Sequence, residues 1–208
     1  MNTEVLSTQD PLALRRALEI LKLGGLVAFP TDTVYGVGAL AFDATAVESI
    51  YTAKDRQVEK AIPVLIGDAD DLGKVSAEVP EIALKLAAHF WPGPLTLVVQ
   101  KHPELPEAVS ATPTVGVRIP DHPVARALLN LAGPMAVTSA NISGQLNPST
   151  AQEVYAQLGG RIALILDGGK TPGGVASTVV DCIGIEPEIL RVGPIPKSEI
   201  LAVLGHKH

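Results

Sequence analysis

Residues 25–41 read Gly25-Leu-Val-Ala-Phe-Pro-Thr-Asp-Thr-Val-Tyr-Gly-Val-Gly-Ala-Leu-Ala41, and the rest of the chain is organised around them. Leu26 to Phe29 is an apolar run of the length of a buried strand. Pro30 stops its hydrogen-bonding ladder and opens a loop. That loop presents Thr31, Asp32, Thr33 and Tyr35. Gly36 and Gly38 follow, able to take positive φ or to let the backbone approach another surface closely. A strand, a proline, a hydroxyl-rich loop and two glycines make the layout of a small-ligand site on a rigid scaffold. The same residue types suit a plain hairpin connection. The neighbouring segments decide between the two.

Toward the N-terminus, Asp10-Pro11 fits the N-cap and first position of a helix. Leu14, Ala17, Leu18 and Leu21 form its apolar face, and Gly24-Gly25 ends it. Beyond the central stretch, Asp43 caps a helix with Val47, Ile50 and Tyr51 on one side, which runs out into Lys54-Asp55-Arg56-Gln57-Val58-Glu59-Lys60. Ile62 to Ile66 reads as a strand. A helix after Pro80 carries Ala83, Leu86, Ala87 and Phe90, and stops at Trp91-Pro92-Gly93-Pro94. Strands follow at Leu95 to Gln100 and Val115 to Ile119. Pro123 opens a helix burying Val124, Ala127, Leu128 and Leu131. Met135 to Val137 is a strand running into Thr138-Ser139-Ala140-Asn141. Thr150 and Glu153 form a capping box, and Ile162 to Leu166, Thr178 to Cys182 and Ile189 to Val192 are strands. A helix over about Lys197 to Leu204 closes the chain. Alternating helices and strands predict an α/β fold. Strand pairs without an intervening helix make the sheet mixed parallel and antiparallel. No linker or repeat divides the chain, so residues 1–208 are expected to form a single domain, with Pro103 to Pro113 as a surface loop.

Composition narrows the function. The chain has 208 residues, 47% of them hydrophobic but only 3% aromatic, one cysteine and a net charge of −6. Such a balance argues against a broad nucleic-acid-coating surface. Cys182 alone makes neither a disulfide nor a zinc site. No signal peptide or membrane-length apolar run is evident, which predicts a cytoplasmic protein without membrane attachment. Two motifs mislead. Gly36-x-Gly38-x-x-Ala41 lacks the strand-to-helix context of a dinucleotide fingerprint. Gly169-Lys170-Thr171 lacks the earlier glycine of a P-loop, where Leu164 stands. Nor is there a serine-hydrolase elbow, a covalent nucleophile with its base, or a histidine set at metal-ligand spacing.

What remains is a set of cations and hydroxyls at element ends. Lys54, Arg56 and Lys60 cluster beyond a helix, where a solvated C-terminal face is the alternative reading. Strand alternation puts Arg118 with Gly116 and Thr114, and a charge there needs either a core acid or a bound anion. Ser139 and Asn141 follow one strand, Ser177 precedes another, and Arg191 lies near the end of a third. Cations for phosphate oxygens and neutral groups for orientation suit a phosphate-containing ligand. With no general base evident, chemistry by positioning and electrostatics fits attack on a nucleotide phosphate.

Six strings in order carry a resemblance over about residues 12–204: Phe29-Pro-Thr-Asp-Thr-Val-Tyr-Gly36, Lys54-x-Arg56, Trp91-Pro-Gly-Pro-Leu-Thr96, Val117-Arg-Ile-Pro-Asp-His122, Ser139-Ala-Asn141 and Ser177-Thr-Val-Val-Asp181. In them the chain resembles the YrdC-like family, in its short form without a further C-terminal domain. The resemblance implies a twisted mixed sheet around a concave cationic cavity. It also implies conversion of L-threonine, bicarbonate and ATP, the last with Mg2+ and no protein-bound metal, to threonylcarbamoyl-adenylate and pyrophosphate. The product would pass to tRNA threonylcarbamoyl-transfer proteins, for modification of the adenosine beside the anticodon, with at most weak direct tRNA contact.

Residue by residue, the resemblance assigns Thr33, Arg118, Ser177 and the backbone around Val137 to threonine. On that assignment Arg118 stands unpaired and hydrated when the pocket is empty. Arg56, Lys60, Thr114, Ser139, Asn147 and Arg191 are assigned to ATP, while Lys54 and Asn141, with Arg56 and Ser139, fall near the reacting phosphate. Ala61, Leu65 and Thr138 depart from the family pattern around the threonine pocket. Two other readings exist. A non-catalytic RNA-binding module is disfavoured by charge and scarce aromatics. The carbamoyl-transferring domain of hydrogenase-maturation proteins belongs to a longer, cysteine-bearing chain.

Overall fold

The computed structural model describes residues 2–57, 60–172 and 175–205. Its organising hairpin is the one the central stretch predicts. Strand β2 (Val27–Pro30) pairs antiparallel with β3 (Tyr35–Leu40) across a loop of residues 31–34. Two details differ from the expectation. Pro30 is the last rung of the ladder, opposite Tyr35, a strand-end position where its missing N–H is tolerated. Gly36 and Gly38 lie inside β3 and neither has positive φ. Their role is close approach: Gly38 pairs with Val137 of β8 (Met135–Ser139), and a Cβ on Gly38 would lie 2.6 Å from the Ala136 carbonyl oxygen and 2.7 Å from Val137 Cγ2.

All strands join one mixed sheet. Its order runs β1 (Glu4–Ser7), β9 (Leu164–Asp167), β2, β3, β8, β4 (Val64–Leu65), β7 (Thr114–Arg118), β6 (Leu95–Lys101), β10 (Thr178–Asp181) and β11 (Glu188–Arg191), with β5 (Ser76–Glu78) beside β6. The pairs β6–β7 and β10–β11 are antiparallel, as their lack of an intervening helix predicts. Strands β1–β9, β4–β7 and β6–β10 run parallel. The sequence reading did not anticipate β1, β5 or the single-turn helix α3 (Leu72–Val75), all of four residues or fewer.

Each sheet face has its own core. Helices α2 (Ala44–Lys54), α4 (Glu81–Phe90), α6 (Ala151–Leu158) and α7 (Lys197–Val203) bury Val47, Ile50, Leu86, Val154 and Ile200 on one face. On the other, α1 (Ala13–Lys22) and α5 (Pro123–Ala132) bury Ala17, Leu21, Leu128 and Leu129. The caps follow sequence in part. Asp43 Oδ1 accepts from the Ala46 N–H at 3.0 Å and Thr150 Oγ1 from the Glu153 N–H at 3.2 Å. Glu153 takes the Ser149 N–H at 2.6 Å as its stronger partner, with the Thr150 N–H of the capping box a weaker one. Asp10 accepts from the Leu12 N–H, so α1 begins at Ala13. In α5 the buried stripe is Ala125, Leu128 and Leu129, leaving Leu131 55% exposed.

Helices α1 and α5 lie over β9, β2 and β3. Met135 and Val137 of β8 and Leu65 of β4 still belong to the core beneath them, and past these residues, over β7, β6 and β10, the same face opens into a cavity.

Candidate functional site

Period-two alternation selects the lining. In β7, Val115 and Val117 enter the core, so Gly116 and Arg118 face the cavity side, as the sequence predicts. Leu65 of β4 lies beside Arg118, Thr96 of β6 pairs next to β10, and Val137 and Ser139 of β8 complete the floor. Loop residues Thr31, Thr33, Asn147 and Ser177 rim it, together with Arg56, Ala61, Thr138 and Arg191. The cavity measures about 310 Å³. Its lining contains three arginines and, among the described residues, no aspartate or glutamate.

Arg118 is the most constrained of the three. Nε donates to the Gly93 carbonyl at 2.9 Å, Nη1 to Thr33 Oγ1 at 3.2 Å, and Nη2 to Asp32 Oδ1 at 2.5 Å. The expectation of an unpaired, hydrated guanidinium is therefore corrected: Asp32 of the central loop supplies a carboxylate. Burial presses the Arg118 pKa below the ordinary arginine value; Asp32 opposes that shift and the nearby Arg191 charge adds to it. Thr31 shapes the loop, its hydroxyl donating to the Val34 carbonyl at 2.7 Å and accepting from the Thr33 and Val34 N–H groups.

Arg191 donates from Nε to the Ser177 carbonyl at 3.0 Å and from Nη2 to Ser177 Oγ at 3.1 Å. Ser177 Oγ in turn lies 2.8 Å from Thr96 Oγ1. Arg56 donates to the carbonyls of Lys60, at 3.1 Å from Nη2, and Ala61, at 3.0 Å. Burial lowers the pKa of both arginines.

Lys54 and Arg56 part company because Asp55, between them, takes the left-handed conformation at φ 50° and ends α2. Arg56 reaches the cavity; Lys54, 1% exposed, turns into the core. Its Nζ donates to the carbonyls of Ser139 and Asn141, and its own carbonyl accepts from the Ser143 N–H at 2.8 Å. Lys54 thus clamps the end of β8 from behind. Burial first, then the Arg56 charge, push its pKa down to about 7.

Of the residues named from sequence, the structure brings together Thr33, Arg56, Arg118, Val137, Ser139, Asn147, Ser177 and Arg191, with Ala61, Leu65 and Thr138 alongside. Val137 contributes its side chain over Gly36 and Gly38 as well as backbone. Lys54, Lys60, Thr114 and Asn141 are not among the lining residues. Lys60 is exposed, and Thr114 sits at the start of β7, its hydroxyl 3.1 Å from that of Thr112. Asn141 is buried and spends its Nδ2 on the Ile142 and Gln145 carbonyls, each at 2.9 Å. Sequence reasoning gave no role to Asp32 or Thr96, although both stood in the strings that carry the resemblance. Of the Lys54–Lys60 stretch, residues 58 and 59 lie outside the described residues.

Fold and cavity define a class: α/β proteins in which one face of a mixed sheet, half covered by helices, holds a small arginine-lined cavity. Comparison with known proteins places the chain within it. The model of the Sua5, YciO and YrdC family, described as "Telomere recombination", matches residues 19–193. A Bacillus subtilis protein named threonylcarbamoyl-AMP synthase is 44% identical over 209 residues, covering 99% of this chain and 60% of that protein. The crystal structure of P. abyssi Sua5 complexed with L-threonine superposes with a TM-score of 0.93 at 40% identity, covering 99% of this chain and 62% of that one. E. coli YciO superposes with a TM-score of 0.83 at 28% identity, covering 94% of this chain and 98% of its own. The chain belongs to the Sua5/YciO/YrdC family. It spans about three-fifths of the length of the first two relatives.

Proposed function

We propose that this chain is a threonylcarbamoyl-AMP synthase, forming L-threonylcarbamoyl-adenylate and pyrophosphate from L-threonine, bicarbonate and ATP. The observation that carries the reading is the cavity's composition: three guanidinium groups, several hydroxyls and one amide, with no lining carboxylate among the described residues. Such a set binds anions and orients them with neutral groups. In relatives that cover this chain nearly end to end, the same fold carries the synthase name or holds L-threonine.

In this reading one N–H on each of Nη1 and Nη2 of Arg118 remains for the amino-acid carboxylate, after Thr33 and Asp32 take the others. Thr33 and Ser177 are the hydroxyls next to it. Arg56, Ser139, Asn147 and Arg191 take the triphosphate. The threonine amine and bicarbonate give a carbamate with loss of water, and the carbamate oxygen attacks the α-phosphorus while the bond to the β-phosphate oxygen breaks and pyrophosphate leaves. Arginines that neutralise the departing pyrophosphate lower that barrier without a protein base. Mg2+ enters as part of the MgATP substrate. The cavity's neutral hydroxyl and amide oxygens suit a metal already carried by phosphates, since Mg2+ keeps much of its shell as phosphate and water. No group of three or more His, Cys, Asp or Glu that could hold a metal occurs among the described residues. Nor is any described helix long and apolar enough to cross a membrane. The product is handed, in the cytoplasm, to proteins that transfer the threonylcarbamoyl group to tRNA.

Pyrophosphate release from ATP, measured with each amino acid with and without bicarbonate, tests the proposal. Threonine is expected to exceed valine by at least about a hundredfold, because a hydroxyl-reading site rejects an analogue lacking the hydroxyl. Equal release with valine, or release indifferent to bicarbonate, overturns it.

A further inference from the structure

Three arginines line one cavity, and they are not equivalent. Arg118 is the one with an ion pair among the described residues, its Nη2 2.5 Å from Asp32 Oδ1, the two side chains 8% and 12% exposed. Arg191 is held by the carbonyl and hydroxyl of Ser177, and Arg56 by the carbonyls of Lys60 and Ala61. Those partners orient a guanidinium and leave its charge intact. Asp32 is absent from the lining of the arginine cavity and instead lines a second, neighbouring cavity with Gly93, Pro94 and Asp121; Thr33 belongs to both. It therefore neutralises Arg118 from outside, while the cavity receives hydrogen-bond donors.

The function proposed above brings two kinds of anion to one place, an amino-acid carboxylate with a single charge and a triphosphate with several. Where water is scarce, attraction between charges is strong, and a site with surplus positive charge goes to the more highly charged ligand. A neutral Asp32–Arg118 pair offers a carboxylate directional N–H groups without that surplus. From this we infer that Asp32 is a specificity determinant: it sorts the two anions, reserving Arg118 for the amino-acid carboxylate and leaving phosphates to Arg191 and Arg56. Without it, phosphate groups would occupy the threonine end of the cavity.

The inference rests on the synthase reading but is tested without turnover, by calorimetric titration of inorganic pyrophosphate with and without saturating threonine. In the wild-type protein, threonine should change pyrophosphate affinity by less than about twofold, since the two ligands use different arginines. Asp32→Asn keeps the shape and removes the charge. It should bind pyrophosphate at least about tenfold tighter, and saturating threonine should erase that gain by competing for Arg118. Unchanged pyrophosphate affinity in Asp32→Asn overturns the inference. So does competition between pyrophosphate and threonine in the wild-type protein, a measurement that stands even if the variant fails to fold. Failure of the synthase reading appears elsewhere, as absent threonine-dependent pyrophosphate release.

Discussion

Replacing Lys54 with methionine removes a charge that the fold has buried and keeps most of the side chain's length. In the folded protein, burial and the Arg56 charge hold the Lys54 amine at about 7, against 10.5 for the ordinary group. Between those values the unfolded chain carries a proton that the folded chain has released, so stability rises with pH across that window and is lowest below pH 7. The slope approaches about 1.36 kcal/mol per pH unit once the folded amine is neutral and is about half that at pH 7, giving about 2 kcal/mol between pH 7 and 9. Methionine has no proton to lose. It also leaves the Ser139 and Asn141 carbonyls without their donor, a constant cost of about 2–4 kcal/mol. Denaturant unfolding of both proteins at pH 7, 8 and 9 isolates the Lys54 contribution, because groups common to both cancel. Wild-type stability minus variant stability should rise by about 2 kcal/mol from pH 7 to pH 9, whichever protein is the more stable at pH 7. A gap independent of pH would show that the two carbonyls keep the ammonium charged, and would refute the dominance of burial.

Arg118→Gln should cost about 3 kcal/mol in denaturant unfolding, by stranding Asp32, 12% exposed, in a buried loop, and should also weaken threonine binding at least about tenfold; a stability loss with intact threonine affinity on titration would make the residue purely structural. Arg56→Ala removes a side chain bonded, among the described residues, to two loop carbonyls, so the melting temperature should hardly move while adenylate formation is lost; wild-type turnover would return Arg56 to the surface. Gly38→Ala puts a methyl group 2.6 Å from the Ala136 carbonyl oxygen and should destabilise by about 2 kcal/mol, read by calorimetry.

Much of this fold was legible because each signal was local. The Leu26–Tyr35 stretch gave its hairpin, Asp43 and Thr150 their helix starts, and the alternation Val115-x-Val117 gave the direction of Arg118. What failed depended on partners distant in sequence. Gly36 and Gly38 read as positive φ or close approach, and only Val137, some hundred residues later, selects close approach. Lys54 read as one of three neighbouring cations, and the left-handed turn at Asp55 separates it from Arg56. Asp32 looked like a loop residue because its guanidinium partner lies 86 positions away. In α5 the stripe was misplaced by one position, since Val124, Ala125, Leu128, Leu129 and Leu131 offer two overlapping apolar faces and packing against α1 selects one.

Strand β4 is two residues long, and it is all that joins β8 to β7 in the order of the sheet. Mechanically the sheet is a pair of plates sewn by a few stitches: Val64 and Leu65, the flanking bonds from the Val137 N–H to the Pro63 carbonyl and from the Ile66 N–H to the Arg118 carbonyl, and the bonds of the Arg118 side chain to Thr33 and Asp32. The cavity straddles that seam, with Ser139 and the Thr33 loop on one plate, and Arg118, Thr96 and Arg191 on the other. A ligand reaching from Ser139 to Arg191 becomes a further stitch. Its binding and the cohesion of the two plates are then linked: bound ligand resists opening of the seam, and affinity falls to the extent that the seam stands open.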